Sequence, residues 1–175
     1  NIDHINYVLN RALEISNNYD LNVDILYACV MFHDIACHID RERHEILSSE
    51  KASKDEFLNK YFSKEQMIQI AEAIEDHRAS LEYEPRNIYG KILSSADRKV
   101  EVKVYFISSI SFALKNSPNK SKEEIITESY EFAIKKFGKE GYAINKTYVD
   151  DDKYKNFLET LQFLIKDKEL LLFDF

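Results

Sequence analysis

The 175-residue chain contains no tryptophan, only 3 glycines and only 2 prolines. Ordinary proteins carry roughly 7% glycine and 5% proline, and a β-sandwich or barrel needs them at its many tight turns. Their scarcity argues against those architectures and favours an all-helical chain. Cysteine is also rare: Cys29 and Cys37 stand eight residues apart, with no signal-peptide pattern before them. Such spacing suggests neither a disulfide framework nor a zinc knuckle, so a reducing cytoplasm is the expected location. No apolar run approaches the roughly 20 residues that a membrane span requires. The densest stretch, Ile25 to Ile35, already contains Tyr27, His33 and Asp34.

What is present suits one globular domain over residues 1–175, with 45% hydrophobic residues for a core and 31% charged residues to cover it. Lys and Arg total 24 against 31 Asp and Glu, a formal charge of −7. That charge repels a nucleic-acid backbone and an anionic membrane, so neither is an expected partner, and a small substrate is favoured.

Hydrophobic periodicity predicts six to seven helices. The first runs from Asp3, as N-cap, to about Asn17; the second, from Val23 to His33, is apolar nearly all round and reads as a buried central helix. A third extends from Ile46 to Tyr61. Ser63 to Gln66 reads as a capping box that opens a fourth helix towards His77. A long fifth helix is expected from Asn87 to about Ala113. Ser121 to Glu124 is a second capping box, opening a sixth helix that ends at Gly138. A seventh runs from about Asp151 to Lys166, and the apolar tail Leu170 to Phe175 reads as a docked extension or an edge strand.

All five histidines fall within the first 77 residues. His33-Asp34 places two ligand types where a buried helix ends, and His4 and Asp97 sit on other helices beside apolar faces. Taken singly, each has an ordinary reading: His33 and Asp34 as a helix-terminal hydrogen-bonded pair, Asp97 as a salt-bridge partner of Arg98 or Arg78. Together, Asp3-His4-Ile5, His33-Asp34-Ile35 and Ser95-Ala96-Asp97-Arg98 resemble the H…HD…D pattern of the HD-domain metal-dependent phosphohydrolase superfamily, over about residues 1–105. Arg43-His44 with Ser48-Ser49-Glu50, and Glu75-Asp76-His77-Arg78, resemble its further histidine segments. Ala36-Cys37-His38 departs from the Gly or Lys that often follows the His-Asp pair in that superfamily.

The resemblance implies an all-α, HD-type domain in which His4, His33, Asp34 and Asp97 ligate a metal. His44 and His77 then serve a second metal or grip phosphate, and Arg78 or Arg98 offers a guanidinium fork to phosphate oxygens. Adjacent helical residues point about 100° apart, so at most one of these arginines need face the site. Imidazole-rich ligation favours one or two ions of Mn, Fe, Co, Ni or Zn over magnesium. The implied activity is hydrolysis of a nucleotide or other small phosphorylated metabolite, with metal-bound hydroxide attacking phosphorus. Two rivals remain, a di-iron oxygenase of the same superfamily and a metal- or nucleotide-sensing module without turnover. No chemistry-bearing motif lies beyond about residue 105, and residues 106–175 are expected to cover the core or form a subunit interface in a homo-oligomer.

Overall fold

The computed structural model describes residues 2–167, which leaves the tail Leu170 to Phe175 outside the described residues. The chain is all-α, with nine helices and no strand among the described residues. None of these helices is long and apolar enough to cross a membrane. Two compact units are formed, one running to Arg98 and including Thr147–Asp150, the other made of Lys99–Lys146 and residues 151–167.

The first unit holds α1 (Ile2–Ser16), α2 (Val23–Phe32), α3 (His44–Ser53), α4 (Glu56–Tyr61), α5 (Lys64–Glu75) and α6 (Ile88–Ala96). Its core joins Val8, Ala12 and Ile15 of α1 to Leu26, Cys29 and Val30 of α2, Ile70 and Ile74 of α5, and Ile92 and Leu93 of α6. Burial of side chains this size contributes about 1.5–3 kcal/mol apiece, which sets α2 against α1, α5 and α6. Gly90 lets α6 approach α5 closely: a Cβ there would stand 3.2 Å from Pro85 Cβ and 3.3 Å from Ala73 Cα.

The second unit holds α7 (Val102–Asn116), α8 (Lys122–Phe137) and α9 (Asp152–Leu164). Its core is aromatic: Tyr105 meets Phe106, Phe137 and Phe157 edge-on, with centroids 5.2, 5.3 and 6.1 Å apart, and Leu161 fills in behind them.

Local chemistry explains where the elements begin and end. Both capping boxes form, with Ser63 and Gln66 opening α5 and Ser121 and Glu124 opening α8. Asp151 caps α9 by accepting from the Tyr154 amide. Five expectations are corrected. Asp3 lies inside the first turn of α1 and is not its N-cap. The predicted third helix is two, because Asp55 accepts from the Leu58 amide and starts α4 afresh. The long fifth helix stops at Ala96, with Asp97 as its C-cap, and α7 begins at Val102. Tyr7 Oη donates to the Arg98 carbonyl at 2.8 Å and so satisfies the backbone outside a helix. On α2, Val23, Tyr27 and Met31 form an exposed stripe, so that helix is buried on one side only, and Phe163 of α9 is exposed rather than core. Gly138 ends α8 as expected but at φ −62°. Glycine serves there because a Cβ would collide with the Ile134 carbonyl oxygen.

Candidate metal centre

Six residues from five separate places in the first unit converge. His4 comes from the first turn of α1, His33 and Asp34 from the end of α2, His44 from the start of α3, His77 from just beyond α5, and Asp97 from the C-cap of α6. Each of these helix ends thus points at one place, with Asp97 at the break after α6.

The imidazoles make a continuous row, with ring centroids 5.3 Å apart for His4–His33, 5.2 Å for His33–His77 and 5.1 Å for His44–His77. Within it the nitrogens pair: Nε2 of His4 and His33 are 3.1 Å apart, and Nε2 of His44 and His77 are 3.2 Å apart. Asp34 lies between the pairs and divides its two oxygens. Oδ2 is 3.4 Å from His4 Nε2 and 3.7 Å from His33 Nε2, whereas Oδ1 is 3.2 Å from His44 Nε2 and 3.9 Å from His77 Nε2. Asp97 Oδ1 joins the first group, 3.3 Å from His4 and 4.0 Å from His33. Two donor clusters result, one of His4, His33 and Asp34 and one of Asp34, His44 and His77, whose ligand atoms lie within 4.8 Å of one another.

The far sides of the rings fix which nitrogen faces the centre. His33 Nδ1 meets the Val30 carbonyl at 2.7 Å, His77 Nδ1 that of Ile74 at 2.6 Å, and His44 Nδ1 that of Arg41 at 2.9 Å. A carbonyl only accepts, so we assign the proton to Nδ1 in all three and a lone pair to Nε2. In the His44–His77 pair two lone pairs then face each other at hydrogen-bond distance with no proton between neutral rings. A divalent ion resolves that conflict: metal–nitrogen bonds of about 2.0–2.1 Å at ordinary coordination angles span nitrogens about 3.0–3.4 Å apart. The residues present therefore fit a divalent metal.

Charge follows the same pattern. Burial pushes the Asp34 carboxyl up, but a hydrogen bond from His4, one from His44 when that ring carries a proton on both nitrogens, and the nearby rings of His33 and His77 outweigh it and hold the group far below the usual range. In the metal-free protein the hydrogen bond that a protonated His44 Nε2 makes to Asp34 raises His44 despite its burial; a metal at Nε2 takes the place of that proton. Burial lowers His77, with the His33 ring acting in the same direction and Asp97 opposing it. His33 and His77 are buried, while His4, Asp34 and Asp97 keep about a quarter to a third of their side chains exposed, so the centre has one open side.

Arg78 stands behind the row. Its Nη1 donates to both carboxylate oxygens of Glu45 at 3.2 Å and to the Glu42 carbonyl at 2.5 Å. The Arg98 guanidinium reaches Ser94 Oγ at 3.4 Å, His38 is exposed, and Cys29 and Cys37 are free thiols.

Two acidic residues beside the site escape sequence reasoning. Glu45, at the end of the charged run that begins at Asp40, reads as solvated yet is buried. Asp76 is fully buried, accepting Arg86 Nε at 2.9 Å, Arg86 Nη2 and the Arg86 amide both at 2.8 Å, and Tyr83 Oη at 3.1 Å. The only trace of either in the sequence is its place next to a histidine.

No curated protein and no solved structure matches the chain. The HD-domain family matches residues 1–100, a span that holds every member of the centre and all six helices of the first unit. With its His-Asp pair at the end of α2 and the residues around it drawn from α1, α3, α6 and the segment after α5, the chain belongs to the HD-domain family.

Proposed function

We propose that the protein is a metal-dependent phosphohydrolase that holds two divalent transition-metal ions and cleaves a phosphoester in a nucleotide or another small phosphorylated metabolite. The observation that carries this reading is the division of Asp34, one oxygen towards each histidine pair. In it His4, His33 and Asp97 complete the first ligand set and His44 and His77 the second, with Asp34 common to both. Mn, Fe, Co, Ni and Zn all suit such imidazole-rich sets. When bound, the ions supply Lewis acidity towards a phosphoryl oxygen and lower the pKa of water to near neutrality.

The chain's own contributions follow from the geometry. Main-chain carbonyls hold the rings of His33 and His77 in one tautomer, and His44 Nδ1 faces both the Arg41 carbonyl and the Glu45 carboxylate, so the three lone pairs are oriented before any ligand arrives. The buried rings of His33 and His77 close the back of the centre, and the partly exposed edge of His4, Asp34 and Asp97 leaves a path for substrate. Two divalent ions against two carboxylates leave about two positive charges, which match a phosphate dianion. The net charge of −7 elsewhere supports a small substrate over a long polyanion. The free thiols Cys29 and Cys37 support a cytoplasmic location.

The test is a panel of nucleotides and sugar phosphates incubated with protein that has been metal-depleted and then reloaded with Mn, Co or Zn. Metal-dependent phosphate release is the expected result. Oxygen consumption by anaerobically iron-loaded protein, with no phosphate release, would favour the oxygenase instead. Tight nucleotide binding without turnover would favour the sensor.

A further inference from the structure

Arg78, expected at substrate phosphate, has its guanidinium engaged by Glu45 and by the Glu42 carbonyl. Glu45 directly follows His44, and Arg78 directly follows His77. On one side of these two dipeptides the ring nitrogens Nε2 face each other at 3.2 Å. On the other, Arg78 Nη1 lies 3.2 Å from each Glu45 oxygen and also holds the Glu42 carbonyl. The start of α3 and the segment after α5 therefore meet twice, across the facing ring nitrogens and across the Glu45–Arg78 ion pair. Glu45 Oε2 also stands 3.4 Å from His44 Nδ1, the proton-bearing nitrogen that already donates to the Arg41 carbonyl.

We propose that Glu45 and Arg78 form a strap that sets the spacing and tautomer of the His44–His77 pair, making both positioning residues for the second ion. This rests on the two-ion reading above. A carboxylate behind a ligating histidine fixes the ring and raises its basicity, and losing such a partner weakens metal binding by about 10–100-fold. The Glu45 side chain is only 11% exposed. A buried carboxylate is costly unless paired, and Arg78 supplies the pairing. The strap does not touch His4, His33 or Asp97, so its effect should be confined to one ion.

The experiment compares wild type with Glu45→Gln, Arg78→Gln, the double variant and Arg78→Lys. Metal-depleted protein is titrated with cobalt(II) alone, and ring nitrogen shifts of the metal-free proteins are read by NMR. In wild type, His44 and His77 should each show one Nδ1–H tautomer and cobalt should bind in about two equivalents. In both single variants His44 should show mixed tautomers. The first equivalent should then bind as in wild type and the second about 10–100-fold more weakly. The double variant should be no worse than the weaker single one, because both act through one contact, and Arg78→Lys should recover part of the loss.

A wild type that binds fewer than two ions contradicts the proposed function, and the tautomers of the metal-free protein then decide the strap by themselves. An unchanged tautomer pattern in the single variants overturns the strap. So does an unchanged second affinity where wild type takes up two ions, or equal weakening of both. Loss of helicity in the isosteric Glu45→Gln would overturn it as well, since the pair would then determine the fold rather than one ligand set.

Discussion

At the scale of single residues, the centre depends on where protons sit. Carbonyls on the Nδ1 side of His33, His44 and His77 leave three Nε2 lone pairs aimed inward, and the two oxygens of Asp34 meet them from between. His77→Ala should keep about one metal equivalent yet lose phosphohydrolase activity by about a hundredfold or more, read by metal analysis alongside kcat/KM. Unchanged kinetics in both His44→Ala and His77→Ala would confine the site to the first ligand set. The metal-free protein carries its own pH signature. His44 is raised in the folded state by Asp34, so its contribution to stability is full below its unfolded value near about 6.5 and is lost as pH climbs through the raised folded value. His77, lowered by burial, runs the other way and loses stability as pH falls below that unfolded value. In chelator-treated protein the Tm gap between wild type and His44→Gln should therefore be widest near about pH 6 and narrow towards about pH 8. A gap that widens with pH would contradict the His44–Asp34 pairing.

At the scale of elements, the segment between α5 and α6 is pinned by Asp76, which takes two side-chain nitrogens and the main-chain amide of Arg86 together with Tyr83 Oη. Arg86→Ala leaves that buried carboxylate without its cation. Because Arg86 is itself 41% exposed, the expected loss is about 2–4 kcal/mol, at or below the usual range for a broken buried pair, measurable by urea denaturation. No change in the midpoint would show that Asp76 is satisfied by its remaining donors. The capping boxes of α5 and α8 are legible in the sequence because a Ser and a Gln or Glu three residues on have one local use, to satisfy amides at a helix start. The break between α6 and α7 is not. Val100 and Val104 continue the apolar period without glycine or proline, and the tertiary bond from Tyr7 to the Arg98 carbonyl lies at the end. Asp55 is equally silent, one polar residue among many until its side chain caps α4. The six residues that converge are legible as a family pattern, since side chains scattered over residues 4–97 have no local spacing to betray them. Glu45 and Asp76 escaped because a carboxylate in a charged stretch looks solvated until its arginine is seen.

At the scale of the whole molecule, the first unit carries both the centre and the aliphatic core around α2, so metal binding should act on that unit's stability. An ion present at about a hundred times its Kd stabilises by about 2.7 kcal/mol. Hydrogen exchange at core amides of α2 and α5 should slow accordingly on reloading, and rates indifferent to metal would show that the histidine row is structural. The most direct test of the account is the metal content of wild type and Asp34→Ala, each stripped with chelator, reloaded with cobalt(II) and washed. Shared use of Asp34 predicts about two equivalents in wild type and the loss of both in Asp34→Ala with helicity retained. A variant that still holds both ions would contradict the shared carboxylate.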